Sequence, residues 1–358
     1  MTRLIATYRL RGPDPAARAR AIAVEQSIEM PPEAVTAPRI LAEVVGEVLD
    51  IADRGGGVAD ARIALAAETI GADAGQLLNM LFGNTSLHPD VTLLDIRLPP
   101  ALAAAFGGPR QGIAGLRARL GVTGRALAAS ALKPQGLDPA GLALLAQRFA
   151  AGGIDLVKDD HGLADQAAAP FAARVPAVAA AIRRAGTQTA YAPSLSGHHG
   201  TMRAQIRLAQ DHGIFCFLIA PMIAGLAGFQ ALRAEFPEAI FLAHPALAGA
   251  ARIAPECLIG TLFPLIGADA VVFPTHGGRF GYSAATCARL AAAARTPPAG
   301  RPALPVPAGG ITLQRVPELL DFHGPDTMFL IGGSLLLARE ALTEATAGFM
   351  RALAEPSR

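Results

Sequence analysis

Gly152-Gly153-Ile154-Asp155-Leu156-Val157-Lys158-Asp159-Asp160-His161 runs from a glycine turn through a short apolar segment into a lysine, two carboxylates and an imidazole. A buried parallel strand reads as a continuous apolar run. In α/β barrels the chemistry sits at the C-terminal ends of such strands. Ionisable groups crowded this closely are costly unless they pair with one another or hold a metal. The stretch therefore predicts a barrel strand that ends in a cation site.

From Gly124 onward the same strand–loop–helix rhythm repeats. Apolar strand segments are expected at 126–133, 154–160, 187–192, 214–220, 239–244, 270–273, 303–307 and 327–331, most of them followed by a helical segment rich in Ala, Leu and Arg. Eight such units predict a (β/α)8 TIM barrel over residues 125–358. The alternative is an open, doubly wound sheet. That fold usually carries a Gly-rich dinucleotide loop after its first strand, and Lys133-Pro134-Gln135-Gly136 is not one. Residues 1–124 read as a smaller α+β domain of ferredoxin-like type. Within it, 4–9 alternates like an edge strand, 15–24 is helical, and 39–51 and 61–66 are strands around the Gly55-Gly56-Gly57 turn. Residues 71–81 read as a second helix and 91–98 as a further strand.

Composition narrows the function. The chain has 358 residues, 52% of them hydrophobic and 17% charged, enough for a sizeable core. A net charge of +2 without a basic run, no Trp and 5% aromatics give no support for nucleic-acid binding. Cys216, Cys257 and Cys287 are widely spaced and form no CxxC pair, so reduced core thiols of a cytoplasmic protein are expected. The segment Met1 to Tyr8 is too short and polar for a signal peptide, and no long apolar run without a charge or breaker predicts a membrane span.

Read in order, the strand ends carry Lys133; then Lys158, Asp160 and His161; then His244; then His276 and Arg279; then Gly309-Gly310 and Gly332-Gly333. Lys133 reads as a general acid or base, or as a rim lysine reaching for solvent. Lys158, Asp160 and His161 read as a divalent-cation site, or as a salt-bridge network with a capping histidine. Carboxylate oxygens suit Mg²⁺, and the imidazole widens the choice to Mn²⁺ or another divalent ion. Asp159 points the other way along an extended chain and is assigned a structural role. His244 is a candidate for proton transfer or substrate contact. The two glycine pairs follow the seventh and eighth strands, where barrels often bind phosphate through exposed N–H groups. Otherwise they are tight turns needing φ > 0. Arg279 lies in a glycine-hinged loop that could close over a phosphate or carboxylate, or is simply an exposed arginine.

These motifs resemble the RuBisCO large-chain family, and more closely its non-CO2-fixing RuBisCO-like proteins (form IV). The resemblance spans essentially the whole chain. It rests on Ala23-Val24-Glu25-Gln26-Ser27, Phe82-Gly83-Asn84, Leu132-Lys133-Pro134, Gly153 to Asp160, Phe241 to His244, Gly277-Gly278-Arg279, Pro307 to Ile311 and Ile331-Gly332-Gly333. It implies that Lys158 is carbamylated and binds Mg²⁺ together with Asp160, and that Lys133 moves a proton at the substrate carbon. It also implies that Glu25 and Asn84 are donated by a neighbouring subunit, so that a homodimer with shared active sites is the smallest active unit.

The departures from the family pattern are equally informative. His161 stands where a glutamate is expected, Pro245 where an arginine, Val272 where a histidine, Arg279 where a lysine and Gln135 where a second lysine. The N-terminal tryptophan is missing, and Met30-Pro31 lies in its region. Pro245 and Val272 remove the second phosphate site of a bisphosphate, whereas the glycine pairs keep the first. The implied substrate is a keto-sugar (acid) monophosphate, and ribulose-bisphosphate carboxylation is excluded. Among enolate-forming reactions, Arg279 and His161 favour a carboxylate-bearing substrate. The expected reaction is thus decarboxylation or C–C cleavage of a 3-oxo sugar-acid phosphate such as 3-oxo-isoapionate 4-phosphate. The alternative is an enolase or isomerase acting on a methylthio-pentose phosphate in sulfur salvage. A third reading, from another class, is a non-catalytic binding protein that keeps the scaffold.

Overall fold

The computed structural model describes residues 2–354. Its N-terminal part contains β1 (Arg3–Arg11), α1 (Pro15–Glu25), β2 (Glu47–Gly55), β3 (Val58–Ala66), α2 (Ala74–Phe82) and β4 (Val91–Arg97). The four strands form an antiparallel sheet in the order β2-β3-β1-β4, the ferredoxin-like βαββαβ arrangement. Both helices start on an aspartate: the side chains of Asp14 and Asp73 accept the N–H groups of Ala17 and Gln76. β1 pairs with β3 on one side and β4 on the other, so it is a central strand rather than the expected edge. Its alternation records one buried face, made by Leu4, Ala6, Tyr8 and Leu10, and such alternation does not separate edge from centre.

The strand expected over 39–51 is divided. Ile40–Val44 forms one wide helical turn, and the strand begins only at Glu47. Arg3 holds this turn by donating to the carbonyl oxygens of Glu43 and Val45. Gly46 then crosses α1 so closely that a Cβ there would lie 2.3 Å from the Ala23 carbonyl oxygen. These tertiary contacts override the apolar run 40–45, which is too short for periodicity to decide its conformation.

The remainder of the chain builds β5 (Leu127–Leu132), β6 (Leu156–Asp159), β7 (Ala190–Ala192), β8 (Cys216–Ile219), β9 (Ile240–Ala243), β10 (Ala270–Pro274), β11 (Leu304–Ala308) and β12 (Met328–Leu330). All eight expected strands are present; β10 runs one residue longer than its predicted bounds and the others are shorter or shifted. They pair in parallel in chain order, and β12 returns to β5. The seam between β7 and β8 is joined by Leu195 N–H to Leu218 O at 2.8 Å and Leu218 N–H to Pro193 O at 2.9 Å. The result is a nearly closed eight-stranded barrel wrapped by helices.

A period of two divides each strand between two cores. Leu127, Leu156, Leu218, Leu242, Val272 and Val306 fill the barrel interior. Their neighbours Ala128, Val157, Phe217, Phe241 and Val271 join the core under the helices. The helix Gly112–Leu120 adds Leu116 and Leu120 to the interior core. The N-terminal sheet docks through Leu93, whose N–H donates to Arg252 O and whose carbonyl accepts from Ala254 N–H. Among the described residues no helix is long and apolar enough to cross a membrane.

Asp269 knots three elements at the start of β10. Its fully buried carboxylate accepts the N–H groups of Gln111, Gly112 and Phe241 and pairs with Arg233 at 3.1 Å. Removing the carboxylate leaves a buried guanidinium and three N–H groups without their acceptor. Asp269→Ala should therefore destabilise the chain by about 3–5 kcal/mol. A lowered urea midpoint at unchanged m-value would register this loss, and an unshifted midpoint would rule it out.

Candidate active site

Continuing the interior parity past each strand end leads from Leu127 to Lys133, from Leu156 to Lys158 and Asp160, and from Leu242 to His244. The same parity explains why these groups meet. The Lys133 ammonium is paired with the Asp160 carboxylate. Asp160 also accepts the Gly162 N–H at 3.1 Å and the Gln135 amide at 3.3 Å. His161 Nδ1 lies 3.5 Å from Asp160 Oδ1. The His161 ring stacks on His244 with centroids 4.3 Å apart and planes 8° from parallel. Lys158 donates to the Asp159 carbonyl at 2.9 Å. The Asp159 side chain, on the opposite parity, is tied to Tyr191 Oη at 2.6 Å, the Ser194 N–H at 3.0 Å and Arg174 at 3.1 Å.

Burial sets the electrostatics. Lys158 is 2% exposed, and desolvation brings its amine from the usual 10.5 down to about 8, although Asp160 pulls the other way. Burial works to raise Asp160, but the Lys133 ammonium and the Gly162 N–H outweigh it and hold the carboxyl at about 2. Burial, followed by the charges of Lys158 and His161, pushes His244 down to about 2. Its imidazole is therefore neutral. Because Nδ1 accepts the Ala246 N–H at 3.2 Å, the ring proton belongs on Nε2. His161 is lowered as well, by burial first, with Asp160 opposing.

Among the described residues no three His, Cys, Asp or Glu side chains converge as a ready chelate. Lys158 and Asp160 fit Mg²⁺ in one form. A carbamate on Lys158 would add a second carboxylate-type donor beside Asp160, and Mg²⁺ takes one or two carboxylates with waters and substrate completing its shell. An amine that loses its proton near pH 8 has the uncharged form that CO2 addition needs. His161 supplies an imidazole at the edge of this pair.

The glycine turns differ from each other. Gly309 and Gly310 have φ of +79° and +75°, a conformation that only glycine adopts freely. Gly332 and Gly333 do not; they open the short helix Gly333–Leu336, and a Cβ on either would meet open space. The N–H groups of Gly309, Gly310 and Gly332 donate to no protein acceptor among the described residues. The β10 loop runs against the first of these turns: a Cβ on Gly278 would lie 2.6 Å from the Gly309 carbonyl oxygen, and one on Gly310 would lie 2.9 Å from Gly278 Cα. Arg315 clamps the two together by donating to His276 O at 3.1 Å and Gly310 O at 3.2 Å. His276 is turned to Glu318 at 3.0 Å, away from the lysine cluster. Arg279 is exposed, stacks over Phe280 and acts electrostatically on His161.

Glu25 and Asn84 lie together on the N-terminal domain. Asn84 Nδ2 donates to Glu25 Oε1 at 2.8 Å and to Glu29 Oε1 at 3.0 Å. Neither side chain hydrogen-bonds to the barrel's strand-end groups. Sequence reasoning missed Arg315 and also a cleft beside the paired histidines, lined by Ser194 to Gly197, Leu218, Ala220, Ile223 and Ala224. Ser194 continues the interior parity of β7, which is the one signal the sequence offered. The apolar residues carry no mark distinguishing them from core.

Comparison with known proteins gives consistent matches. Residues 112–265 match the family model described as ribulose bisphosphate carboxylase large chain, catalytic domain. The chain is 58% identical to a 5-methylthioribulose-1-phosphate isomerase of Rhodospirillum rubrum, over 98% of this chain and 96% of that one. It is 55% identical to ribulose bisphosphate carboxylase-like protein 1 of Rhodopseudomonas palustris, over 97% and 96% of the two chains. The crystal structure of a Rubisco-like protein from Rhodopseudomonas palustris superposes with a TM-score of 0.93 at 49% identity, covering 100% of this chain and 99% of the other.

The lowered Lys158 amine implies a stability test. A lysine whose pKa falls on folding costs stability below that pKa, and the cost disappears as pH rises toward the unfolded value. Lys158→Met leaves Asp160 paired with Lys133, so it should raise the unfolding free energy at pH 7 by on the order of 3 kcal/mol. The gain should be full below pH 8 and fade between 8 and 10.5. Urea titrations at pH 7 and pH 10 measure the difference, and an equal gain at both would refute the buried charge.

Proposed function

The chain belongs to the RuBisCO large-chain family, in its non-carboxylating RuBisCO-like branch, and from that membership we propose that it isomerises 5-methylthioribulose 1-phosphate. The observation that carries this reading is the likeness, along nearly its whole length, to the Rhodospirillum rubrum isomerase. This was the alternative in the sequence reading. It is better supported than cleavage or decarboxylation of a 3-oxo sugar-acid phosphate. Two features agree with a monophosphate. Pro245 follows His244, and Val272 lies 2% exposed in the barrel interior, so neither position offers a cation to a second phosphate.

Isomerisation of a ketose phosphate needs a proton removed beside the carbonyl and returned to another carbon. Lys133 is the proposed proton carrier, at the end of β5 with its ammonium aimed at Asp160. The neutral His244 would donate from Nε2 to a substrate oxygen that gains charge, a task that a neutral imidazole performs without being consumed as an acid. His161 holds the His244 plane by stacking. A divalent ion held by Asp160 and a carbamate on Lys158 would polarise the carbonyl and leave Lys133 without its carboxylate partner. The unused N–H groups of Gly309, Gly310 and Gly332 would take the phosphate, with Arg279 closing over it. Glu25 and Asn84 are proposed to complete the site of a second copy, making a homodimer the active unit.

The test is to incubate the purified protein with Mg²⁺, bicarbonate and 5-methylthioribulose 1-phosphate in D2O and follow it by NMR. The expected result is a new ketose phosphate, deuterium at carbon and no CO2. Lys133→Met should slow this turnover by about 10²–10⁴-fold, and chelation of the metal should abolish it. Release of CO2 or a three-carbon acid phosphate from 3-oxo-isoapionate 4-phosphate, with the methylthio compound untouched, would reverse the assignment.

A further inference from the structure

The barrel order puts three strands between β7 and β11, and three between β8 and β12, whichever way the ring is followed. The loops after β7 and β8 therefore face the glycine turns across the barrel mouth. The cleft there is bounded by His161 and His244 on one side and by Leu195, Leu218, Ala220 and Ile223 on the other. No lysine or arginine lines it. Three of its loop N–H groups are already committed: Ser194 N–H to Asp159, Leu195 N–H to Leu218 O and Ser196 N–H to Gln205 Oε1 at 3.0 Å. Ser194 and Ser196 add hydroxyls, but the cleft has no fixed cation to draw an anion. The Ile223 side chain is 62% exposed at its rim, an apolar group left facing the site rather than packed in the core.

The two ends of the site are thus chemically opposite, one an array of free N–H groups and the other an apolar wall. Resting on the isomerase reading, we propose that this cleft receives the methylthio terminus of the substrate and that Ile223 and Leu195 set the preference for a thioether over a hydroxyl at that end. A hydroxyl set against Leu195 and Ile223 would lose water and find an aliphatic wall in exchange, whereas a methylthio group loses nothing by desolvation.

The probes are two unreactive alditols, 5-methylthioribitol 1-phosphate and ribitol 1-phosphate, titrated calorimetrically into the full-length protein and into Ile223→Asn. Because the Ile223 side chain is exposed, the substitution leaves the core intact, and an unchanged unfolding midpoint verifies this. The unmodified protein should bind the methylthio compound about tenfold more tightly than ribitol phosphate, and Ile223→Asn should erase that ratio. A ratio near one in the unmodified protein, or one that survives in Ile223→Asn, overturns the proposal. Turnover of 5-methylthioribulose 1-phosphate by the same preparation is scored separately. Its absence would defeat the isomerase reading, while the binding ratio still decides what the cleft accepts.

Discussion

The strict alternation of side chains along a β-strand is the constraint on which the rest depends. In a ring of eight short parallel strands, every second residue must enter the interior. Lys158 is delivered there by the same parity that buries Leu156, and it is left 2% exposed. Its lowered basicity follows from that position. Shifting β6 by one residue would send Asp159 inward and Lys158 toward the helices, exchanging a desolvated amine for a second carboxylate. The buried set around Asp159, with Arg174, Tyr191 and the Ser194 N–H, acts against that slip, because only the observed register satisfies it.

Most of the barrel was legible in the sequence because most strands announce themselves twice, by an apolar run and by polar or glycine residues at the end. The N-terminal domain was harder to read. Alternation in β1 reports one buried face, which central and edge strands of an antiparallel sheet share. The segment 40–45 is apolar enough for a strand, yet Arg3 and the close crossing at Gly46 turn it into a helix end, and both contacts involve residues far away in sequence. The candidate site divides similarly. Lys133, Lys158, Asp160, His161 and His244 converge because strand ends share one face. Arg315 escaped notice because an arginine after a loop looks like surface until its two carbonyl partners are known. The apolar cleft escaped because the ends of four successive strands supply it.

On the proposed reading, the reaction is selected by what the strand ends hold in common within one scaffold and the substrate by where they differ. The lysine and carboxylate cluster is suited to stabilising an enolate from any carbonyl compound that reaches it. The residues that would narrow the choice under that reading are the uncharged ones: Pro245 and Val272 where cations would draw a second phosphate, and an aliphatic wall opposite the glycine turns. Exclusion by absent charge is an inexpensive route to selectivity, because a polyanion meets no partner for its far end and so gains nothing from entering.

The contact between the β10 loop and the Gly309-Gly310 turn has a mechanical consequence. Two backbones that approach to within the space of a missing methyl group, and that share one guanidinium as a rivet, cannot slide independently. Arg279 is carried on one of them and the free N–H groups on the other. Any displacement large enough to carry the arginine across the mouth must therefore drag the Gly309-Gly310 turn along or break the rivet. The two segments are mechanically one piece rather than a flap above a fixed floor.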